Sequence, residues 1–303
     1  MIAMPRIMIT LLVLLAGIAG AYAQANNPAP PPLRIIAFGA HPDDCELKVG
    51  GVAAKWSALG HAVKFVSVTN GDIGHYEMAG GPLAQRRTAE VQEAAKVLGI
   101  TTQVLDHHDG ELEPTLEIRK ELIRLVREWK ADVVIAPRPN DYHPDHRYTS
   151  VLVQDGAYMV AVPYICPDTP PLDKNPVYLY MEDRFQKPYA FEADIMVDVG
   201  DAADKKFEAL SKITSQFLEW LPWMAKMREM VPKEPEKAKQ FMIEMFKLRM
   251  KRPADTDIAG LVKRYGQDRA AKIEYVESFE ICEYGKQPSE EEIRRLFPFF
   301  PEG

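Results

Sequence analysis

Two apolar patterns alternate between residues 33 and 162. Short β-rich runs read as strands: LRIIAFGA (33–40), HAVKFVSVTNG (61–71), TTQVLDH (101–107) and ADVVIAP (131–137). Between them lie stretches with helical spacing: DDCELKVGGVAAKWSALG (43–60), PLAQRRTAEVQEAAKVLG (82–99), EPTLEIRKELIRLVREWK (113–130) and DHRYTSVLVQDGAYMVAV (145–162). The first two end in Gly60 and Gly99, and the third has Pro114 near its start, as helix ends favour. Four β-then-α units in succession predict a parallel sheet with helices on both faces and right-handed crossovers. The expected fold class is α/β: a Rossmann-like three-layer αβα arrangement with a mostly parallel sheet and a helical C-terminal extension. ADIMVDVG (193–200) supplies a later strand.

The pattern changes after residue 200. KKFEALSKITSQFLEWLPWMAKM (205–227) is helical and aromatic, and KAKQFMIEMFKLRMK (237–251) is helical and Met-rich. The Met stripe reads as a packed helix face, and Trp220 and Trp223 are expected in the core. IEYVESFEI (273–281) alternates like a strand, and Ser289 with Glu292 has capping-box spacing for a short last helix. At the other end, Arg6, an apolar core over 7–20 and Ala21-Tyr22-Ala23 read as an export signal. QANNPAPPPL then reads as an extended spacer. The expected organisation is a signal peptide (1–23), a spacer (24–33), a main domain (34–220) and a helical extension with a late strand (221–303). The expected location is periplasmic or secreted.

In open α/β sheets, ligands bind beyond the carboxyl ends of the strands. His41, Asp43 and Asp44 follow the first strand, and RPNDYHPDH (138–146), with His143, Asp145 and His146, follows the fourth. TNGDIGHYEMAGG follows the second and DHHDG the third, so every polar cluster falls at one sheet edge. Two histidines and a carboxylate are a common Zn²⁺ ligand set with a position left open for water. Adjacent carboxylates repel unless a cation lies between them. One aspartate of the pair can therefore bind metal while its neighbour serves as general base. GAHPDD lacks the Gly-rich turn of a nucleotide-binding strand end and places acids where phosphate would sit.

Composition narrows the partners. The chain has 37 Lys and Arg against 44 Asp and Glu, and the leader holds one of the basic residues, Arg6. This acidic balance argues against nucleic acid as a partner. No membrane span is expected once the leader is removed, and self-association is left open. Three widely spaced cysteines indicate no disulfide framework.

The segments AHPDDCELKVGG (40–51), TNGD (69–72), RRTAE (86–90) with KVLG (96–99), and HPDH (143–146) resemble the PIG-L/LmbE-like N-acetylglucosaminyl deacetylase family. The resemblance covers about residues 33–220. It implies metal-dependent removal of acetyl from an N-acetylated amino sugar or sugar conjugate, with one Zn²⁺ per chain and iron(II) as the alternative metal. Carried over by motif, His41, Asp44 and His146 match the metal ligands and Asp43 the general base. His143 matches the residue that stabilises the oxyanion or protonates the leaving amine, and Asp145 the carboxylate that orients it. Arg87 and Asp109 match substrate-side residues. Tyr142 lies beside the catalytic histidine, and His75, with Tyr76, is a candidate lining of the sugar pocket. The chain departs from the family at Cys45, where many members have Glu, although Glu46 follows. It departs again at Ile213, where ALSKITSQ (209–216) replaces a later histidine. The competing readings are hydrolysis of another N-acyl group and a non-catalytic sugar-binding module.

Overall fold

The structure, a computed structural model, describes residues 31–301; the expected leader and most of the spacer lie outside them. In chain order the strands are β1 (Arg34–Gly39), β2 (Ala62–Thr69), β3 (Thr101–His107), β4 (Val133–Ala136), β5 (Val177–Met181), β6 (Ile195–Asp198) and β7 (Val276–Ile281). The helices that matter most are α1 (Asp44–Ala58), α2 (Gly81–Leu98), α3 (Leu116–Trp129), α4 (Pro144–Met159) and α5 (Ala203–Leu210). Further on are α6 (Leu221–Met224), α7 (Pro235–Arg249), α8 (Ala259–Tyr265), α9 (Gln267–Ala270) and α10 (Glu290–Leu296), with a π-helical stretch at Ser215–Trp220.

The seven strands form one sheet in the order β3-β2-β1-β4-β5-β7-β6. β1 to β5 run parallel, and β7 runs antiparallel to both β5 and β6. Alternation along β1 feeds two cores. Ile35 and Ala37 join a cluster with Val49, Val52 and Trp56 of α1 and Val91 and Leu98 of α2. Ile36 and Phe38 join another with Leu122 and Val126 of α3 and Leu152 and Val153 of α4. The mostly parallel α/β architecture is thus the one the pattern predicts.

Two features were not legible beforehand. β5, VYLYM, is buried at every position and pairs with β4 and β7. It follows a Pro-rich stretch and no helix succeeds it directly, so no β-then-α rhythm marks it. β7, from the segment read as an extension, lies inside the sheet, and the chain from Leu33 onward forms one unit. Ser289 caps α10 as its spacing predicts, accepting from the Glu292 amide at 3.2 Å.

Trp220 and Trp223 correct an expectation. Trp223 is 45 % exposed and stacks between Trp220 and Tyr76, at 5.2 and 5.3 Å between ring centroids. The Met-rich helix α7 buries only Ala238 and Met242 fully, with Phe246 packed edge-on against Phe217. Cys45, Cys166 and Cys282 are all buried and free.

Candidate active site

Strand order reverses between β1 and β4, so the crevice of an open sheet lies at their carboxyl ends. The loop after β1 delivers His41, Asp43 and Asp44, and the loop after β4 delivers Asp141 to His146. The approach is close. A Cβ at Gly39 would stand 2.7 Å from Asp44 Cβ, so the last residue of β1 has to be glycine for α1 to begin so near the strand.

The two loops bring three donor atoms together. His41 Nδ1 lies 3.1 Å from His146 Nε2 and 3.7 Å from Asp44 Oδ2, and His146 Nε2 lies 3.5 Å from Asp44 Oδ2. A tetrahedral ion with bonds of about 2.0–2.1 Å would space its donors about 3.3 Å apart. The outer ring nitrogens are already committed: His146 Nδ1 to Asp141 Oδ1 at 3.1 Å, and His41 Nε2 to Asp109 Oδ1 at 3.0 Å and Asp145 Oδ2 at 3.3 Å. With protons on those outer nitrogens, two lone pairs face each other and a carboxylate, an arrangement that calls for a positive charge between them. The residues present therefore fit a cation.

Burial and charge set the acidities. Burial alone would depress His41, but Asp109, Asp145 and Asp44 together raise it well above its ordinary value. Burial alone would raise Asp44, and the facing His146 and His41 pull it far below the usual carboxylate range. Asp43 moves the other way: burial raises it, and Asp44 adds to that against the opposing Arg87. Its side chain makes no cap bond to α1, and its nearest cation is Arg87, at 3.6 Å. Adjacent carboxylates with opposite shifts are suited to different roles, one as a charged ligand and one as a proton acceptor.

His143 caps α4, its Nδ1 accepting from the Asp145 amide at 3.2 Å. A ring accepting at Nδ1 carries its proton on Nε2. Burial and the neighbouring His41 and His146 lower its pKa, which favours that neutral form. Tyr142 is 72 % exposed at the mouth, with its ring 5.7 Å from that of His143.

Four expectations change in the structure. The Asp145 carboxylate accepts from the Gly110 amide at 2.7 Å and lies 3.3 Å from His41 Nε2, so its hydrogen-bond partner is His41, where the expectation paired it with His143. Asp109, 4 % exposed, also faces His41 instead of open solvent. Arg87 is 2 % exposed and donates to Gly71 O at 3.1 Å. A Cβ on Gly71, whose φ is +69°, would collide with that guanidinium, so loop and arginine are built around each other. Arg87 thus lies buried against Asp43 at 3.6 Å and Asp109 at 3.8 Å rather than open to solvent. His75 has both nitrogens taken, by Glu219 at 2.9 Å and by the Glu77 and Met78 amides, so it ties down the loop after β2. Ile213, at the place of the family's later histidine, is buried in the core. Asp141 was missed by sequence reasoning, although it lies inside the quoted RPNDYHPDH segment.

Fold and site together define a Rossmann-like α/β protein with a His–Asp–His donor set at its topological switch point. Residues 36–156 match the family model described as PIG-L, GlcNAc-PI de-N-acetylase. The diacetylchitobiose deacetylase of Thermococcus kodakarensis is 28 % identical over 208 residues, spanning 66 % of this chain and 77 % of that relative. Among solved structures, the N,N'-diacetylchitobiose deacetylase of Pyrococcus horikoshii aligns with a TM-score of 0.61 at 25 % identity, covering 86 % of this chain and 87 % of that one. GalB of Pseudomonas putida, a 4-carboxy-2-hydroxymuconate hydratase, shares the fold with a TM-score of 0.65 at 18 % identity, covering 85 % and 99 %. Residues 36–156 thus carry a PIG-L family domain.

Proposed function

We propose that the protein is a metal-dependent hydrolase that removes acetyl from an N-acetylated amino sugar or glycoconjugate. One observation carries the reading: His41 Nδ1, His146 Nε2 and Asp44 Oδ2 converge within 3.7 Å of one another, with a second carboxylate, Asp43, beside them. Zinc is the proposed ion and iron(II) the alternative. Held by those three residues, it would supply Lewis acidity and lower the pKa of water in the pocket.

The chain's own groups account for the remaining steps. Asp43, raised by burial, takes a proton from the attacking water at its carboxylate. His143 donates from Nε2 to the carbonyl oxygen as negative charge develops there. The departing amine needs a proton, which Asp43 returns after accepting it from water. Tyr142, exposed at the mouth, contacts the sugar. Asp109, Asp145 and Asp141 hold the two ligand histidines in the required tautomers.

Acetate release from N,N'-diacetylchitobiose and N-acetylglucosamine tests this, using metal-loaded and chelator-treated protein with metal content measured alongside. Release that follows metal content is expected. Release undiminished by chelation, or none from any N-acetylated sugar while one equivalent of metal is bound, would overturn it. We further propose that the protein is exported, on the strength of Arg6, the apolar run and Ala21-Tyr22-Ala23. N-terminal sequencing of the protein from the periplasm or medium should then begin after Ala23.

A further inference from the structure

Two cavities share a wall beside the candidate metal centre. One, of about 220 Å³, is lined by Asp44 and His146 and by Tyr142 and Phe185. The other, of about 310 Å³, runs past α5 to the end of α7. Lys48, Glu182, Asp183 and Arg184 line both, so the two cavities adjoin at these residues. Lys48 follows Asp44 by one turn of α1, which places their Cβ atoms about 6 Å apart.

The passage is rich in uncommitted positive charge. Among the described residues, the Lys48 side chain donates only to the Glu182 backbone carbonyl, at 2.9 Å, and that of Arg252 only to the Ile273 carbonyl. Arg184 and Arg249 have no ion-pair partner among the described residues. Some exposed cations elsewhere are paired, as Lys55 is with Asp201 and Lys239 with Glu208, and others, such as Lys130 and Lys233, stand alone on the open surface among the described residues. The carboxylates of the second cavity are largely taken: Asp183 by Arg138 and Glu277 by Lys206, leaving Glu182 as the one opposing charge. A place in the last turn of α7 suits Arg249 to the helix dipole. That does not account for Lys48 or Arg184.

Arg184 is also held in place. Arg138, whose side chain is fully buried, donates to both Asp183 oxygens at 2.7 and 2.6 Å and to the Phe185 carbonyl at 2.9 Å. The backbone on either side of Arg184 is thereby fixed to the end of β4, and its side chain lines both cavities. Lys48, Arg184, Arg249 and Arg252 therefore line one passage, the two adjoining cavities beside the donor set, without a carboxylate partner among the described residues.

We infer that this passage binds an anionic group, a carboxylate or a phosphate, that the substrate carries beyond its acetylated sugar. The inference rests on the proposed deacetylase reading. Arg184, Arg249 and Arg252 lie outside the segment that matches the family model, and Lys48 lies inside it.

The test compares kcat/KM for acetate release from three sugars: neutral N,N'-diacetylchitobiose, a disaccharide of N-acetylglucosamine with glucuronate, and N-acetylglucosamine 1-phosphate. Wild type and the Lys48→Ala/Arg184→Ala double variant are measured, each also in 0.5 M salt. Wild type is expected to favour at least one anionic sugar about tenfold. The double variant should lose that ratio, mainly through KM, and salt should erode it in wild type alone. The arm that carries the preference identifies the anion. Diacetylchitobiose turned over as well as both anionic sugars would overturn the inference while leaving the deacetylase reading intact. If no sugar loses acetate, that reading fails, and calorimetry on the same anionic sugars decides. Binding weakened about tenfold in the double variant would support the passage, and equal affinity would overturn it.

Discussion

Asp43 and Asp44 are neighbours in sequence with opposite electrostatic fates. His41 and His146 surround Asp44 and hold it ionised, while Asp43 is buried near Arg87 with its acidity weakened. If Asp43 is the base, Asp43→Asn should lower kcat by about 10²–10⁴-fold while one equivalent of metal still binds. Metal content lost in parallel would instead make Asp43 part of the ion's support. Asp141 faces the outer nitrogen of His146, so Asp141→Asn should weaken metal affinity about 10–100-fold, with activity recovering in excess metal. A loss that excess metal does not restore would move Asp141 into the reaction itself. The motif residues were legible because each strand end presents its cluster within a few positions. Sequence shows which loop a residue occupies but not which way it points. Sequence therefore could not show that Arg87, Asp109 and His75 are buried against protein partners, and Asp141 passed for an ordinary loop residue.

At the scale of elements, the strand–helix rhythm located β1 to β4 and α1 to α4 within a few residues, because apolar period and Gly or Pro boundaries coincide there. β5 lacks those boundaries. Support for α1 from distant sequence was also invisible. Glu277 of β7 accepts from the Gly51 and Val52 amides at 2.7 Å each. Lys206 of α5 donates to Glu277 and to the Leu47 carbonyl, also at 2.7 Å each. This ion pair, with side chains 7 % and 3 % exposed, reaches the middle of the helix whose first turn carries Asp44. Removing one member of a buried pair leaves the other charge uncompensated, so Glu277→Ala should cost about 3–5 kcal/mol of stability. Urea unfolding measures this, and a Lys206→Met/Glu277→Leu double variant should recover much of it. A loss below about 1 kcal/mol, the scale of an exposed pair, would mean water already reaches the site.

At the scale of the whole molecule, the shared fold does not decide function. The same architecture is found in a hydratase and in a deacetylase, so the reaction has to be argued from the donor set and the groups around it. The fold does dictate which parts can be separated. Sequence character changes after residue 200, and an appended segment was expected from residue 221, yet β7 lies between β5 and β6, and among the described residues β6 pairs with no other strand. A chain ending at residue 220 would leave β6 without a partner and expose the edge of β5, whose residues are all buried in the full chain. It would also uncover Trp56, whose indole donates to the Leu296 carbonyl and packs on Phe297. Such a chain should aggregate or lose its cooperative thermal transition, as circular dichroism and limited proteolysis would show. A soluble 24–220 fragment that unfolds cooperatively and binds one metal ion would show that β1 to β4 hold the donor set unaided. The C-terminal strand and helices would then serve what enters the passage beyond Lys48, rather than the integrity of the site.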